Sequence, residues 1–289
     1  MFVNNYAILG GDKRQIALIE NLAKDGANLW VVGFDKINFD NRIIKTNAEN
    51  AIKNSYYIIF PLPVTKDGIL LNSPFGKNKL VLNDKLAKKL YNKKIFCGTS
   101  EKLLKLGKIW EKLNIIDYSK NLEFAIRNSV PTAEGAIEIA MHEYPETVNG
   151  SKCLVAGFGN LGKALSELLY GMKAKVTVSA RKTEDIANIE CRGYKSILTS
   201  KIKETNDYDI VFNTIPDLIF DAKTLKKFSK DCIIIDLASA PGGVDFKTAS
   251  KLGIKAIQAL SLPGKVAPKT AGLIIKKTIY NIIKKEEIK

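Results

Sequence analysis

Short apolar runs alternate with helical patterns along residues 6–118. Strands are predicted where branched and aromatic residues cluster, and helices where apolar residues recur every three or four positions. The predicted strands are residues 6–9, 28–34, 56–60, 95–97 and 114–118, and the predicted helices are residues 14–24, 46–54, 83–90 and 101–113. This alternation is typical of a parallel sheet covered by helices.

A second pattern of the same kind runs from residue 152 to residue 260. Its predicted strands are residues 153–156, 175–179, 193–197, 209–213, 232–237 and 255–260, and its helices follow at 161–170, 199–205, 223–228 and 246–252. An amphipathic helix is predicted over residues 269–285. The predicted fold class is α/β, with two doubly wound parallel sheets of the Rossmann type and a cleft between them.

These patterns predict four regions. Residues 1–127 form an α/β domain for substrate binding or catalysis, and residues 128–150 form a connecting helix. Residues 151–264 form a dinucleotide-binding domain. Residues 265–289 form a C-terminal helix that packs back on the first domain, because its many isoleucines are too apolar for a solvated tail.

The connecting segment contains a polar interruption at residues 128–135, NSVPTAEG. Pro131 suits the first turn of a helix, with Ser129 as its cap, so a polar loop is predicted before the helix. Two interpretations stay open. Asn128, Ser129, Thr132 and Glu134 contact substrate or nicotinamide, or Ser129 only caps the helix and Glu134 favours its first turn.

The motif GFGNLG lies between a predicted strand and a predicted helix. Gly157, Gly159 and Gly162 have the spacing of a dinucleotide fingerprint: a tight turn, backbone approach to a pyrophosphate, and close packing of helix on strand. We therefore predict that Gly157, Phe158, Gly159, Asn160, Leu161 and Gly162 bind a dinucleotide. The alternative is a glycine turn without a ligand.

The end of the next strand favours NADP over NAD. NAD sites usually carry an acidic residue there for the ribose 2′-hydroxyl. This chain instead has Ser179, Arg181 and Lys182, a hydroxyl and two cations that suit a 2′-phosphate. NAD is the alternative cofactor, and a solvated loop is the alternative role for the two cations.

Loops at the ends of later strands are expected to surround the nicotinamide ring. They are NTIP (213–216), ASAPGG (238–243) and SLPGK (261–265). Glycine and proline favour close backbone approach to a flat ring, although ordinary turns have the same composition. The predicted cofactor contacts are Asn213, Thr214, Ile215, Pro216, Ala238 and Ser239.

The first strand ends in GGDKRQ (10–15), which lacks the dinucleotide spacing. A helix N-terminus beside Lys13 and Arg14 suits a small carboxylate. The alternative is a turn capped by Asp12, with both cations in solvent.

Composition excludes several classes of function. The net charge is +15, but 40 of the 45 cations are lysines spread along the chain, which indicates a composition bias and favours anionic ligands over nucleic acid. His142 is the only histidine, and the four cysteines form no CxxC pair, so no metal site is expected. No apolar run or leader indicates a membrane or secreted protein, and we expect a cytoplasmic one.

The motifs together resemble the A-subunit family of dipicolinate synthases. They are GGDKRQ, NSVPTAEGAI, GFGNLG, DLASAPGGVDF and ALSLPGKVAPKTAG, of which the last two are the most specific. The domain plan is also similar to that of S-adenosylhomocysteine hydrolase, methylene-tetrahydrofolate dehydrogenase and D-2-hydroxyacid dehydrogenases.

The resemblance implies NADP-dependent oxidation of dihydrodipicolinate, derived from the lysine pathway, to dipicolinate during sporulation. It also implies a flavoprotein-like partner, the B-subunit of dipicolinate synthase, in the mother-cell cytoplasm. We further expect a homo-oligomer. The alternatives are another two-domain nicotinamide dehydrogenase, of hydroxyacid or shikimate type, and a non-catalytic protein that only binds NADP.

Residue roles for this chemistry follow from charge and position. Lys13, Arg14 and Lys265 are candidates for binding the two carboxylates, with Asn128, Ser129 and Thr132 as hydrogen-bonding groups. Asp12 and Glu134 are the candidate proton acceptors.

Overall fold

The computed structural model describes residues 5–204 and 207–288, which form two compact units. The first unit comprises residues 1–127 and 267–289, and the second comprises residues 128–266. Each unit contains one six-stranded parallel sheet with helices on both faces, which confirms the predicted fold class. Among the described residues, no helix combines the length and apolar character needed to cross a bilayer.

The sheet of the first unit has the strand order β3-β2-β1-β4-β5-β6. Its strands are β1 (Asn5–Leu9), β2 (Asn28–Val32), β3 (Ile43–Lys45), β4 (Tyr57–Ile59), β5 (Lys94–Cys97) and β6 (Asn114–Asp117). The direction of winding reverses between β1 and β4, which is the point where doubly wound sheets open a crevice. Strand β3 was not predicted, because its three residues are too few for a periodic pattern.

Helices cover both faces of this sheet. They are α1 (Lys13–Lys24), α2 (Ala48–Asn54), α3 (Asp84–Lys89), α4 (Glu101–Leu104) and α5 (Lys108–Glu111). The single helix predicted over residues 101–113 was wrong. Gly107 has a φ of 148°, which no α-helix accommodates, and it separates α4 from α5.

The polar loop predicted at residues 128–135 was also wrong. Residues 122–143 form one helix, α6 (Leu122–Glu143), which passes through Pro131. An internal proline removes a hydrogen bond and costs about 3 kcal/mol. Burial of Ala133, Ala136 and Ala140 on this helix offsets that cost, so packing overrides the local signal.

The second unit repeats the same strand order as β12-β11-β10-β7-β8-β9. Its strands are β7 (Lys152–Ala156), β8 (Lys175–Ala180), β9 (Lys195–Leu198), β10 (Ile210–Asn213), β11 (Ile233–Asp236) and β12 (Lys255–Gln258). Its further helices are α7 (Asn160–Gly171), α8 (Thr183–Cys191), α9 (Ala222–Leu225), α10 (Phe246–Leu252) and α11 (Leu262–Val266).

Two predicted elements of this unit differ from the structure. The SLPGK segment is mainly helical, as α11, and not an open loop. The helix predicted over residues 199–205 is a short 3-10 helix, Thr199–Glu204, and Thr205 lies outside the described residues.

The chain ends in α12 (Pro268–Glu287), which packs on α1 in the first unit. Gly272 makes the approach close, because a Cβ there would lie 2.6 Å from the carbonyl oxygen of Arg14. Lys276 forms a 2.7 Å ion pair with Asp25, which also accepts a hydrogen bond from the Tyr280 hydroxyl. The buried isoleucines of α12 share a core with those of α1.

Candidate functional site

The glycine-rich turn of the second unit joins β7 to α7. Gly157 has a φ of 103°, a conformation that favours glycine. A Cβ at Gly162 would overlap with the carbonyl oxygen of Gly157, so helix and strand approach closely only with glycine there. A Cβ at Gly159 would meet nothing within 4 Å. Open space therefore lies over the first turn of α7.

A groove of about 460 Å³ lies at this turn. Its lining comes from the glycine-rich turn, from the end of β8 and from the end of β10, and comprises Gly157, Phe158, Gly159, Asn160, Leu161, Ala180, Arg181, Lys182, Asp185, Thr199, Thr214, Ile215 and Pro216. Because β7 lies between β8 and β10, the groove extends to both sides of the turn. That is the geometry an extended dinucleotide needs, with its pyrophosphate at the helix N-terminus.

The β8 side of the groove carries the two predicted cations. Arg181 and Lys182 are exposed, and Lys182 immediately precedes α8. Ser179, in contrast, is fully buried and does not line the groove. Its hydroxyl accepts hydrogen bonds from Gly157 N at 3.2 Å and from Thr199 Oγ1 at 3.3 Å. Ser179 therefore supports the glycine turn from beneath the groove, and its direct contact with a ligand stays a prediction.

The β10 side is formed by Thr214, Ile215 and Pro216. The Thr214 hydroxyl donates to the carbonyl oxygen of Ala156 at 2.8 Å, which ties this segment to the end of β7. Asn213 is fully buried and contributes nothing to the lining. Ala238 is buried and Ser239 is exposed, and neither lines the groove, so direct contact by these two residues stays a prediction.

Three residues of this region were not singled out from the sequence. Asp185 and Thr199 line the groove, and Asp236 is a fully buried carboxylate at the end of β11. Asp236 had a visible signal, because an acidic residue directly follows the apolar run Ile233–Ile235. Asp185 had none, since it follows two other polar residues in a solvated helix.

In the first unit, the GGDKRQ turn places Asp12 as the N-cap of α1. Its carboxylate accepts from Arg14 N, and the Gln15 side chain accepts from Asp12 N, which completes a capping box. Arg14 pairs with the same carboxylate, with Nη2 at 2.8 Å from Oδ2, and Nη2 also donates to the carbonyl oxygen of Leu62. These bonds engage Nε and Nη2, and Nη1 takes part in none of them.

The exposure of these side chains decides which can reach a ligand. The Arg14 side chain is only 5% exposed, whereas Lys13 is exposed at the start of α1. A buried, paired guanidinium first serves the fold, since an unpaired charge there would be costly. Lys13 is thus the more accessible cation of the turn.

The remaining predicted substrate residues lie on α6 and α11 of the second unit. Ser129 is buried, Glu134 is exposed, and the Thr132 hydroxyl donates to the Asn128 carbonyl oxygen at 2.6 Å. A Cβ at Gly135 would lie 3.0 Å from Leu262 Cβ, so α6 packs directly against α11, which carries the exposed Lys265. This contact brings the part of α6 around Gly135 close to the helix that carries Lys265.

Among the described residues, three of the four cysteines are buried, and Cys191 is exposed at the end of α8. Burial raises the pKa of Cys153 to about 11 and that of Cys232 to about 12, and it raises the pKa of Cys97 further, so none of these thiols ionises at neutral pH. His142 is exposed near the end of α6. Across residues 5–204 and 207–288, no group of three or more His, Cys, Asp or Glu side chains is placed to hold a metal ion.

Comparison with known proteins supports the resemblance seen in the motifs. Residues 5–119 match the family model for the N-terminal domain of the dipicolinate synthase A-subunit. The chain is 34% identical over 281 residues to the dipicolinate synthase A-subunit of Bacillus subtilis (strain 168), which covers 96% of this chain and 95% of that protein.

Solved structures agree. The crystal structure of the dipicolinate synthase A-subunit from Bacillus halodurans has a TM-score of 0.91 at 31% identity and covers 98% of both chains. The transhydrogenase from Sinorhizobium meliloti has a TM-score of 0.69 at 12% identity, covering 97% of this chain and 94% of that one, and it shares the fold alone. The chain therefore belongs to the A-subunit family of dipicolinate synthases.

Proposed function

We propose that this protein oxidises dihydrodipicolinate to dipicolinate with NADP, as the dehydrogenase component of a dipicolinate synthase. The observation that carries the proposal is the groove over the N-terminus of α7, which ends at two exposed cations, Arg181 and Lys182. The family assignment supports the substrate. The cations support NADP over NAD because a 2′-phosphate adds charge where they lie.

The chain's own groups would hold the cofactor in three places. Backbone N–H groups at the start of α7 bind the pyrophosphate, and Arg181 and Lys182 bind the 2′-phosphate. Thr214, Ile215 and Pro216 flank the nicotinamide half. A bound nicotinamide supplies the hydride acceptor for the reaction.

The substrate loses one hydride and one proton and becomes an aromatic pyridine. A bound NADP⁺ would accept the hydride and become NADPH, and a base of the protein would take the proton. We propose that Lys13 in the first unit and Lys265 in the second attract carboxylates, and that Asn128, Ser129 and Thr132 are hydrogen-bonding groups for the substrate. Of the two candidate bases, both oxygens of Asp12 accept hydrogen bonds from Arg14, whereas Glu134 is exposed on α6. Glu134 is therefore the base we favour.

The proposal is tested by turnover under anaerobic conditions, so that oxygen cannot replace the nucleotide as oxidant. Purified protein receives freshly prepared dihydrodipicolinate with NADP⁺ or NAD⁺, with and without the B-subunit. We expect NADPH and dipicolinate to form in equal amounts, and Glu134→Gln to slow turnover without weakening NADP binding. Product formation that is independent of nucleotide contradicts the proposal.

One observation favours a second candidate, a protein that binds NADP but performs no chemistry. Both oxygens of Asp12 accept from Arg14, and Glu134, the other candidate base, is not among the residues that line the groove. This candidate predicts tight NADP binding and no turnover, either alone or with the B-subunit. Turnover by the isolated chain eliminates it.

A further inference from the structure

Two polar side chains are completely buried at the ends of neighbouring strands in the second unit. Asn213 ends β10, Asp236 ends β11, and the two residues are direct partners in the parallel register. Asn213 Nδ2 donates to Asp236 Oδ1 at 2.8 Å. Burial of a carboxylate and an amide is unfavourable unless hydrogen bonds to protein replace those to water. The hydrogen-bond partners of this pair therefore indicate its role.

Asp236 accepts hydrogen bonds from the loop that follows its own strand. Its Oδ1 accepts from Ala238 N at 3.2 Å, and its Oδ2 accepts from Gly243 N at 3.1 Å. The carboxylate therefore holds both ends of residues 238–243. Together with the amide of Asn213, these two backbone groups give the buried carboxylate three donors.

Asn213 holds the segment after β10 in the same way. Its Nδ2 donates a second hydrogen bond to the carbonyl oxygen of Ile215 at 3.0 Å, and its Oδ1 accepts from Ile215 N at 3.2 Å. A Cβ at Gly243 would overlap with Asn213 Nδ2 and lie 2.7 Å from the Ile215 carbonyl oxygen. The two segments thus fit together without free space.

The pair also connects to the glycine-rich turn. Thr214 lies between Asn213 and Ile215, and a Cβ at Gly157 would be 2.5 Å from its Oγ1. Thr214 and Ile215 line the groove on its β10 side, although Asn213 and Asp236 are buried beneath it. A displacement of Asn213 and Asp236 would therefore shift Thr214 and Ile215, which line the groove, although Asn213 and Asp236 do not line it themselves.

We infer that Asn213 and Asp236 are positioning residues that place the wall of the nicotinamide half of the cofactor groove. This inference rests on the proposed function, because it requires a dinucleotide in the groove. The inference predicts different effects on the two halves of the ligand. None of the hydrogen bonds of Asn213 and Asp236 described above reaches Arg181 or Lys182 on the β8 side of the groove. Buried groups that only orient binding groups typically have large effects on affinity.

The test compares two ligands in four proteins: wild type, Asn213→Asp, Asp236→Asn and the double exchange. NADPH fills the whole groove, whereas 2′,5′-ADP probes only the adenosine half. Asn213→Asp places two carboxylates side by side, and Asp236→Asn turns an amide NH2 toward the Gly243 N–H that the carboxylate accepts from. We expect each to weaken NADPH binding about tenfold while 2′,5′-ADP affinity stays within about twofold. The double exchange restores one amide–carboxylate hydrogen bond and recovers part of the loss.

Asp221→Asn is the matched control. Asp221 caps α9 in the same unit through a 2.8 Å bond from Thr224 N. Asparagine keeps an oxygen acceptor for that bond, so the exchange makes the same charge change as Asp236→Asn and should change neither affinity. Equal weakening of both ligands by the single exchanges, or no weakening, overturns the positioning role. If wild type binds neither ligand, the proposed function fails first. Asn213→Ser, which keeps a hydroxyl donor, replaces any exchange variant that does not fold.

Discussion

The two units share one strand order but use the first strand-to-helix turn in opposite ways. In the second unit, the space over Gly159 is open and continues into a groove. In the first unit, the corresponding turn is filled by the chain itself. A Cβ at Gly10 would lie 2.8 Å from the Asn72 carbonyl oxygen, and one at Gly11 would overlap with the Gln15 side chain.

The filled turn also lacks the donors that a pyrophosphate needs. Gly11 N donates to the Asn72 carbonyl oxygen at 2.8 Å, and Asp12 N donates to the Gln15 side chain. Backbone N–H groups that are already bonded cannot bind phosphate. The same strand-to-helix turn therefore leaves open space over its helix in the second unit and is filled by the chain itself in the first.

Charge separates the units as well. Residues 1–127 and 267–289 contain 27 cationic and 14 acidic residues, a net charge of +13. Residues 128–266 contain 18 and 16, a net charge of +2. A bias in genome composition acts on both units alike and does not account for this difference. Most of the positive charge therefore belongs to the first unit, where its field favours anionic ligands.

The largest effect is expected from a side chain that fills the glycine-rich turn of the second unit, as the chain itself fills the corresponding turn of the first unit. Gly162→Val should abolish dinucleotide binding and lower the free energy of unfolding by about 3 kcal/mol, because its side chain overlaps with the Gly157 carbonyl. Gly171→Ala is the control on the same helix, where a Cβ meets nothing within 4 Å. Chemical denaturation and NADPH titration measure both. Normal NADPH binding by the Gly162→Val protein would show that the open turn of the second unit is not needed for a dinucleotide.

The ion pair of the first turn, in which Arg14 is buried and Asp12 is partly exposed, should matter to the fold. Arg14→Ala leaves the Asp12 carboxylate without its partner, and we expect a loss of about 3 kcal/mol in unfolding free energy. Arg42→Ala is the control, because Arg42 and Asp40 have the same sequence spacing but are exposed, and stability should not change. If Arg14 also binds substrate, the KM rises while cofactor affinity stays intact. A change in stability alone makes the carboxylate role of Arg14 wrong.

Cofactor choice tests the β8 side of the second unit. Arg181→Glu should weaken NADP binding about 100-fold and NAD binding far less, since only NADP carries the 2′-phosphate. Arg192→Glu makes the same charge change at an exposed residue outside the groove and should affect both nucleotides slightly. Equal weakening of NADP and NAD by Arg181→Glu would show that Arg181 does not bind this phosphate.

The smallest effect concerns the loop after β5 in the first unit. Burial opposes ionisation of Asp117, but hydrogen bonds from Ser119 and Ser100 outweigh it and hold the pKa of Asp117 below its usual value. The stabilisation is therefore present above the unfolded pKa of about 3.9 and is lost as the pH falls through the lower folded pKa. Asp117→Asn should cost about 1 kcal/mol at neutral pH.

Stability measured against pH checks this prediction. The wild-type protein should lose stability below about pH 4 more steeply than Asp117→Asn. Glu111→Gln, at an exposed position of the same unit, should keep the wild-type slope. Parallel curves for wild type and Asp117→Asn would contradict the assigned role of this carboxylate.

Local signals predicted most of the fold, and they failed where packing prevailed. The two α/β patterns and the fingerprint at Gly157 were sufficient for the fold class, and the later motifs were sufficient for the family. Pro131 misled, because its local preference for a helix start is weaker than the burial of the alanines that follow it. Short elements such as β3 and α11 lack the length for a periodic signal.

Within the candidate site, the sequence determined chemistry and the tertiary structure decided access. The glycine spacing and the cations Arg181 and Lys182 predict a dinucleotide groove because those properties are local to a few consecutive residues. Ser179, Asn213 and Arg14 also have suitable chemistry, yet the fold buries them and uses their polar groups to hold loops. Whether a polar group binds a ligand or the protein itself depends on residues that are distant in sequence. Asn72 accepts from Gly11, and Asp236 accepts from Asn213, and neither contact can be predicted from a local sequence pattern.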